Sequence, residues 1–118
     1  MIKKKSEQAK EVRQNMRGGP GQIEINHYFM REEISASCRL CARLELPPGS
    51  GIGLHEHKDE DEVFIIQQGK GVVVENGKET EVEAGDAILT GGGASHSIKN
   101  TGIKSLVVTA VIMQYKAP

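Results

Sequence analysis

Residues 49–69 read GSGIGLHEHKDEDEVFIIQQG and carry His55, His57 and Glu62 between two framing glycines. The two histidines stand two positions apart, the spacing that puts both side chains on one face of a β-strand. Lys58-Asp59-Glu60-Asp61 is polar enough to be a turn, and from Glu62 the alternation continues through Phe64 and Ile66, which share its face. A second glycine-bounded stretch, residues 85–100, reads GDAILTGGGASHSIKN and puts His96 and Ile98 on a common face. Three imidazoles and a carboxylate suit a divalent transition metal, and the apolar neighbours Phe64, Ile66 and Ile98 suit the wall of a ligand pocket.

Outward from these stretches the chain reads as strands. Cys38, Leu40, Ala42, Leu44 and Leu46 alternate with Arg39, Cys41, Arg43 and Glu45, and the run stops at Pro47-Pro48-Gly49. Ile23, Ile25, His27 and Phe29 alternate in the same way. GVVVE at 71–75 leads into Asn76-Gly77, a pair that supplies the two positive φ values of a type I′ hairpin. Val82–Glu83 and Ala87–Thr90 flank a second turn at Gly85-Asp86, and SLVVTAVIMQ at 105–114 is the longest strand segment. Many short strands with regular turns predict an all-β sandwich or barrel. The strand at 105–114 is apolar on both faces: Leu106, Val108, Ala110 and Ile112 on one, Val107, Val111 and Met113 with Thr109 on the other. One face lines the interior, so the other needs a cover, which predicts a homodimer.

Size and charge limit the alternatives. A chain of 118 residues makes one domain. Residues 1–20 read as an N-terminal arm, in which Ala9, Val12 and Met16 form a weak helical stripe, so that a short helix or a frayed arm is expected before the breaker cluster Met16–Gly21. Residues 21–118 make the barrel. A net charge of −1 argues against nucleic-acid binding, and Lys3-Lys4-Lys5 reads as a solvated tail. No apolar run approaches the roughly 20 residues of a membrane span and no secretory segment is legible, so no membrane partner and a cytoplasmic location are expected. Cys38 and Cys41 form a C-x-x-C, but strand alternation sets them on opposite faces and makes them two reduced cysteines. His27 shares the Ile23/Ile25/Phe29 face and reads as a hydrogen-bonded core or interface histidine.

The two glycine-bounded stretches resemble the paired motifs of the cupin superfamily, in particular its small single-domain, cupin_2-like members. Gly49, His55, His57, Glu62 and Gly69 fill every fixed position of the first motif, G-x5-H-x-H-x4-E-x6-G. Gly85, Gly93, His96 and Asn100 fill the second, G-x5-P-x-G-x2-H-x3-N, while Gly91 stands where proline is usual. That departure is expected to loosen a turn and to leave the ligands untouched. The resemblance implies a double-stranded β-helix, or jelly-roll, with one divalent ion (Mn, Fe, Co, Ni or Zn) held by His55, His57, Glu62 and His96.

Such a set leaves open positions on an octahedral ion, and open positions permit oxidative cleavage, decarboxylation or isomerisation. Closed structural zinc is disfavoured, because such sites are usually cysteine-rich. Few aromatic residues disfavour a sugar site, so a small oxygenated or carboxylate substrate is expected, handled by a dioxygenase-type oxidoreductase or a decarboxylase. The alternatives are a non-catalytic metal- or small-molecule-binding cupin and an isomerase or epimerase. No acid–base residue is legible: Arg39 and Arg43 lie opposite the Leu40/Ala42/Leu44 face and are expected to point away from the cavity.

Overall fold

Alternating apolar residues bury one face of a strand, and two such sheets laid face to face bury both. The computed structural model, which describes residues 1–116, has this arrangement. The strands are β1 (Ala9–Gln14), β2 (Gln22–His27), β3 (Cys38–Leu46), β4 (Gly51–Glu56), β5 (Glu60–Gln68), β6 (Lys70–Glu75), β7 (Lys78–Glu83), β8 (Ala87–Gly91), β9 (Ser95–Asn100) and β10 (Leu106–Gln114). One sheet has the order β1-β2-β3-β10-β5-β8 and the other β4-β9-β6-β7. Every pairing is antiparallel. This is the all-β jelly-roll expected. Among the described residues helix is confined to three short 3-10 turns, and no helix is long and apolar enough to cross a membrane.

The core fills the space between the sheets. Ile25, Leu44, Leu46, Phe64, Ile66, Leu106, Val108 and Ala110 come from the larger sheet, and Ile52, Val73, Val82 and Ile98 from the smaller. Burying side chains such as Phe64 and Leu46 contributes about 1.5–3 kcal/mol each. The inner face of β10 is buried as predicted, whereas Val107, Thr109 and Val111 on its outer face are half-buried and Met113 is exposed. The Asn76-Gly77 hairpin is also present, with φ of 48° and 81° joining β6 to β7.

The arm is extended, and the helical alternative fails. Ala9–Gln14 pairs along its length with β2, from Ala9↔His27 to Gln14↔Gln22. A stripe of three apolar residues offers a helix little to bury, whereas the open edge of β2 satisfies the arm's backbone groups directly. The chain then turns through Met16–Gly18 and passes behind β4, where the Gly51 N–H donates to the Pro20 carbonyl at 2.9 Å.

Two β-bulges shape the site. On β4, Ile52 pairs with Ile98 and His55 with His96, so three steps on β4 match two on β9. The extra residue turns the alternation over, so that Ile52 and His55 both face inward. On β3, Cys38 pairs with Met113 and Leu40 with Ile112, which makes Arg39 the extra residue. This bulge overturns two expectations. Arg39 is carried to the cavity side, and Cys38 shares the outer face of the sheet with Cys41, which pairs with the outward Val111. Both thiols are free, as expected.

Other motif positions are structural. Gly69, at φ 89°, leaves no room for a side chain, because a Cβ there would lie 2.7 Å from the Ser105 carbonyl oxygen. Asn100 is buried and donates to the carbonyls of Leu46 at 2.7 Å and Lys104 at 2.8 Å, while its own oxygen accepts the Gly102 N–H at 2.8 Å. Gly91, in the proline position, ends β8 immediately before the turn at Gly92-Gly93. It is a strand residue with Asp61 filling the space a side chain would need, and Asp61 accepts a 2.6 Å hydrogen bond from the Tyr115 hydroxyl.

Candidate metal centre

His55 lies on β4, His57 just past its end, Glu62 on β5 and His96 on β9. Although β4 stops at Glu56, the backbone of His57 still pairs across to the loop before β9: its N–H donates to Ala94 O at 3.0 Å and its carbonyl accepts from Gly93 N at 2.9 Å. His57, Glu62 and His96 are buried and His55 is half-buried. One potential ligand atom from each of the four lies within 4.8 Å of all the others. Sequence reasoning named these four residues, and the fold brings all four together.

Each histidine is fixed in a different way. Nδ1 of His55 lies 2.7 Å from the Gly53 carbonyl, which can only accept, so this nitrogen carries the hydrogen and Nε2 presents its lone pair. Nδ1 of His57 donates to the Glu60 carboxylate at 2.5 Å, which frees its Nε2 in the same way. The His96 ring stacks on Phe64 with centroids 4.9 Å apart and 9° between planes, and its Nδ1 has no hydrogen-bond partner among the described residues. The three Nε2 atoms meet: His57 to His96 at 2.9 Å and His96 to His55 at 3.1 Å. Glu62 Oε1 lies 2.8 Å from His57 Nε2 and 3.0 Å from His96 Nε2. Several lone pairs aimed at one point repel each other unless a proton or a cation lies among them. The donor set therefore fits a divalent transition ion.

Glu60 and Arg39 complete the frame, and sequence reasoning missed both. Glu60 belongs to β5 and not to the turn, which consists of Lys58-Asp59 with Asp59 at φ 58°. It is buried and accepts from Arg39 Nε and a terminal nitrogen, both at 2.8 Å. A bidentate charged pair of this kind holds both planes. The signal was available, since Glu60 lies two residues before Glu62 and so shares its face.

Electrostatics follow from these contacts. Arg39 foremost, then the His57 hydrogen bond, hold the Glu60 carboxyl down at about 2 against the opposing effect of burial. Burial lowers the His55 imidazole, and the His96 and His57 rings beside it add to this. Burial also pulls on His57, but hydrogen bonds to Glu62 and Glu60 outweigh it and leave that imidazole raised. Burial works to raise Glu62, and its contacts with His57 and His96 reverse this and leave it lowered.

The centre opens into a cavity of about 160 Å³ lined by His55, His57, Glu62, Leu40, Ile52 and Ile112, with Arg39 on its wall. His27 is outside the ligand cluster. It lines the same cavity and its Nε2 lies 3.1 Å from a Glu11 carboxylate oxygen on β1.

Two antiparallel sheets enclosing a cluster of three histidines and one glutamate that could hold a metal ion define a jelly-roll protein with a candidate metal centre. Residues 42–112 match the Cupin domain family, and this chain belongs to that family. It is 45% identical over 113 residues to the oxalate-binding protein of Thermotoga maritima, covering 96% of this chain and 93% of the relative. Its fold superposes on the crystal structure of a predicted oxalate decarboxylase from Thermotoga maritima with TM-score 0.92 and 45% identity, covering 97% of this chain and 99% of that one. The cupin domain of Schizosaccharomyces pombe Cnp3 shares the fold at TM-score 0.72 and 19% identity, over 88% of this chain and 68% of that one.

Proposed function

We propose that this chain holds one divalent transition metal ion (Mn, Fe, Co, Ni or Zn) through His55, His57, Glu62 and His96 and binds a small dicarboxylate of the oxalate class at it. The observation that carries the reading is the convergence of these four side chains within 4.8 Å, three of which line the cavity. A cavity of about 160 Å³ has room for roughly five water molecules, which suits a ligand of a few heavy atoms and not a sugar. The 45% identical relative is an oxalate-binding protein, which supports the same ligand class. When bound, the ion supplies Lewis-acid attraction for carboxylate oxygens. The chain's own residues orient the imidazoles, line the cavity with Ile52, Leu40 and Ile112, and limit its size. The test is metal analysis of the purified protein, followed by calorimetric titration of the metal-loaded form with oxalate. Absence of stoichiometric metal, or of oxalate binding at millimolar concentration, would sink the proposal.

Turnover is a second reading, favoured by His27 and Glu11. General acid–base work needs a titratable side chain near the ligand, and this pair supplies one on the cavity wall. Decarboxylase chemistry predicts formate with carbon dioxide from oxalate. Dioxygenase-type chemistry predicts oxygen uptake. Assaying the three together separates both from a protein that only binds.

The outer face of the larger sheet supports a homodimer. Val111, Val63 and Leu89 stand in one cross-strand row over β10, β5 and β8, with Ile65 in the next row and Met113 at the end of β10. Leu89, Ile65 and Met113 are exposed. A second copy of the same chain would cover this apolar surface. A solution mass of one subunit by light scattering would rule the dimer out.

A further inference from the structure

The three histidines of the centre are not equally supported. Nδ1 of His55 donates to the Gly53 carbonyl, and Nδ1 of His57 to the Glu60 carboxylate. His96 is 1% exposed and turns its Nε2 to the other ligands, and its Nδ1 has no partner among the described residues. For Nε2 to give its lone pair to a cation, Nδ1 must carry the hydrogen. A buried N–H without an acceptor is costly, and metal-binding imidazoles almost always donate this hydrogen to a carboxylate, a carbonyl or water.

The sheet register sets one carboxylate directly opposite His96. On β9, His96 pairs with His55 of β4 on one side and with Glu75 of β6 on the other. Two residues along the same strands Ile98 pairs with Val73 in the core, so His96 and Glu75 share that inward face. The larger sheet has a matching row, in which Glu62 of β5 pairs with Thr90 of β8, and Thr90 is 1% exposed. Between the sheets the Thr90 hydroxyl donates to Glu75 Oε2 at 2.5 Å. Glu75 and Thr90 therefore stand one strand beyond His96 and Glu62 and tie the two ligand-bearing rows together. The end of β6 is locked at this register: the Asn76 N–H donates to Ser95 O at 3.1 Å, and the Ser95 N–H to Asn76 Oδ1 at 3.2 Å.

We propose that Glu75 is the positioning residue for His96: its carboxylate, steadied by Thr90, accepts the Nδ1 hydrogen and holds the ring in the tautomer that ligates. This rests on the metal site proposed above. Side chains directly opposite on an antiparallel pair have Cβ atoms about 4.5–5.5 Å apart, within the reach of a glutamate. Glu75 is half-buried, and its second oxygen can serve His96 while Thr90 keeps the first. Phe64 fixes the plane of the His96 ring by stacking, but an aromatic face does not select which nitrogen carries the hydrogen. Each ligand imidazole then has its own acceptor: a carbonyl for His55, Glu60 for His57 and Glu75 for His96.

The test uses the full-length protein with isotope-labelled histidine, loaded with Zn because that ion is diamagnetic. Zn affinity is read by competition with a chelator, the ring tautomers and the Nδ1 protons by NMR, and melting temperature on the same samples. Wild-type His96 is expected to carry its hydrogen on Nδ1, with the downfield proton signal of a carboxylate acceptor. Glu75→Ala is expected to weaken Zn binding about 10–100-fold and to move that signal upfield, with the His57 signal unchanged. Glu75→Gln keeps a neutral acceptor of the same length and is expected to recover part of both. Thr90→Val is expected to act in the same direction as Glu75→Ala, by less. If the wild type binds Zn and Glu75→Ala keeps both affinity and signal, the inference is overturned while the metal reading stands. If affinity and melting temperature fall together and the His96 signal stays in place, Glu75 only clasps the two sheets and the inference is again overturned. If the wild type takes up no Zn, the metal reading itself fails and this inference goes with it.

Discussion

On the inner side of the pocket, His57, Glu62 and His96 are 1%, 4% and 1% exposed, Glu62 and His96 on core strands and His57 just past the end of one. On the outer side, Arg13 and Arg17 stand in solvent on an arm that pairs with the edge of one sheet and lies against the other. The inner wall is fixed redundantly by a carbonyl on His55, a carboxylate and arginine on His57, and an aromatic ring on His96. The outer wall is fixed through its backbone, with Arg13 paired to Glu11 and Arg17 making no ion pair with a described residue. The contrast teaches a division of labour: buried, over-determined groups suit an ion that needs fixed geometry, and an exposed wall suits a cavity whose ligand must enter and leave.

The division can be broken most directly at His57. His57→Ala is expected to reduce bound metal from stoichiometric to background by elemental analysis, whereas Arg17→Gln keeps it. Equal metal content in the two variants would erase the distinction between the walls.

Asn100 asks whether the inner wall depends on the frame behind it. Asn100→Ala strands two carbonyls and an N–H, and it is expected to lower unfolding free energy by about 3 kcal/mol in urea titrations. The folded fraction is expected to keep its metal. Loss of metal without loss of stability would place Asn100 in the site itself.

Glu60 sharpens the comparison within the inner wall. Glu60→Gln removes the charge that both Arg39 and His57 use, and it is expected to weaken metal binding about 10–100-fold in competition with a chelator. The oxalate affinity of fully loaded protein is expected to change less. An unaltered metal affinity would mean that the strands alone orient His57.

The smallest effect lies on the far face of β3, which belongs to neither wall. Burial foremost, with Cys38 adding, pushes the Cys41 thiol above its ordinary 9.0, so the reactive thiolate is scarce near neutral pH. Alkylation of Cys41 is expected to be slow near neutral pH and to accelerate only as the pH rises beyond 9.0. Rapid labelling at neutral pH would show that β3 opens more readily than a rigid inner wall permits.

The four ligands were legible because their information is local. A two-residue spacing, a turn and a glycine frame place His55, His57 and Glu62, and the same alternation places His96 beside Ile98. Glu60 was hidden by a turn read two residues too long. Arg39 and the cysteine faces were hidden by a bulge, which depends on how β10 pairs with β3 and leaves no mark in the alternation of β3 itself. The arm's three apolar residues suited a helix weakly, and the unpaired edge of β2 decided against it.

The sequence by itself determined an all-β fold, the buried faces of β2, β3, β5 and β10 and which four side chains meet as candidate metal ligands, since those follow from periodicity and turn chemistry along a continuous run. Tertiary structure alone decided that Arg39 turns inward to Glu60 and that Arg17 reaches the cavity from far away in the chain. Both depend on the register between segments that meet only after folding, and one inserted residue in a strand reverses the direction of a side chain.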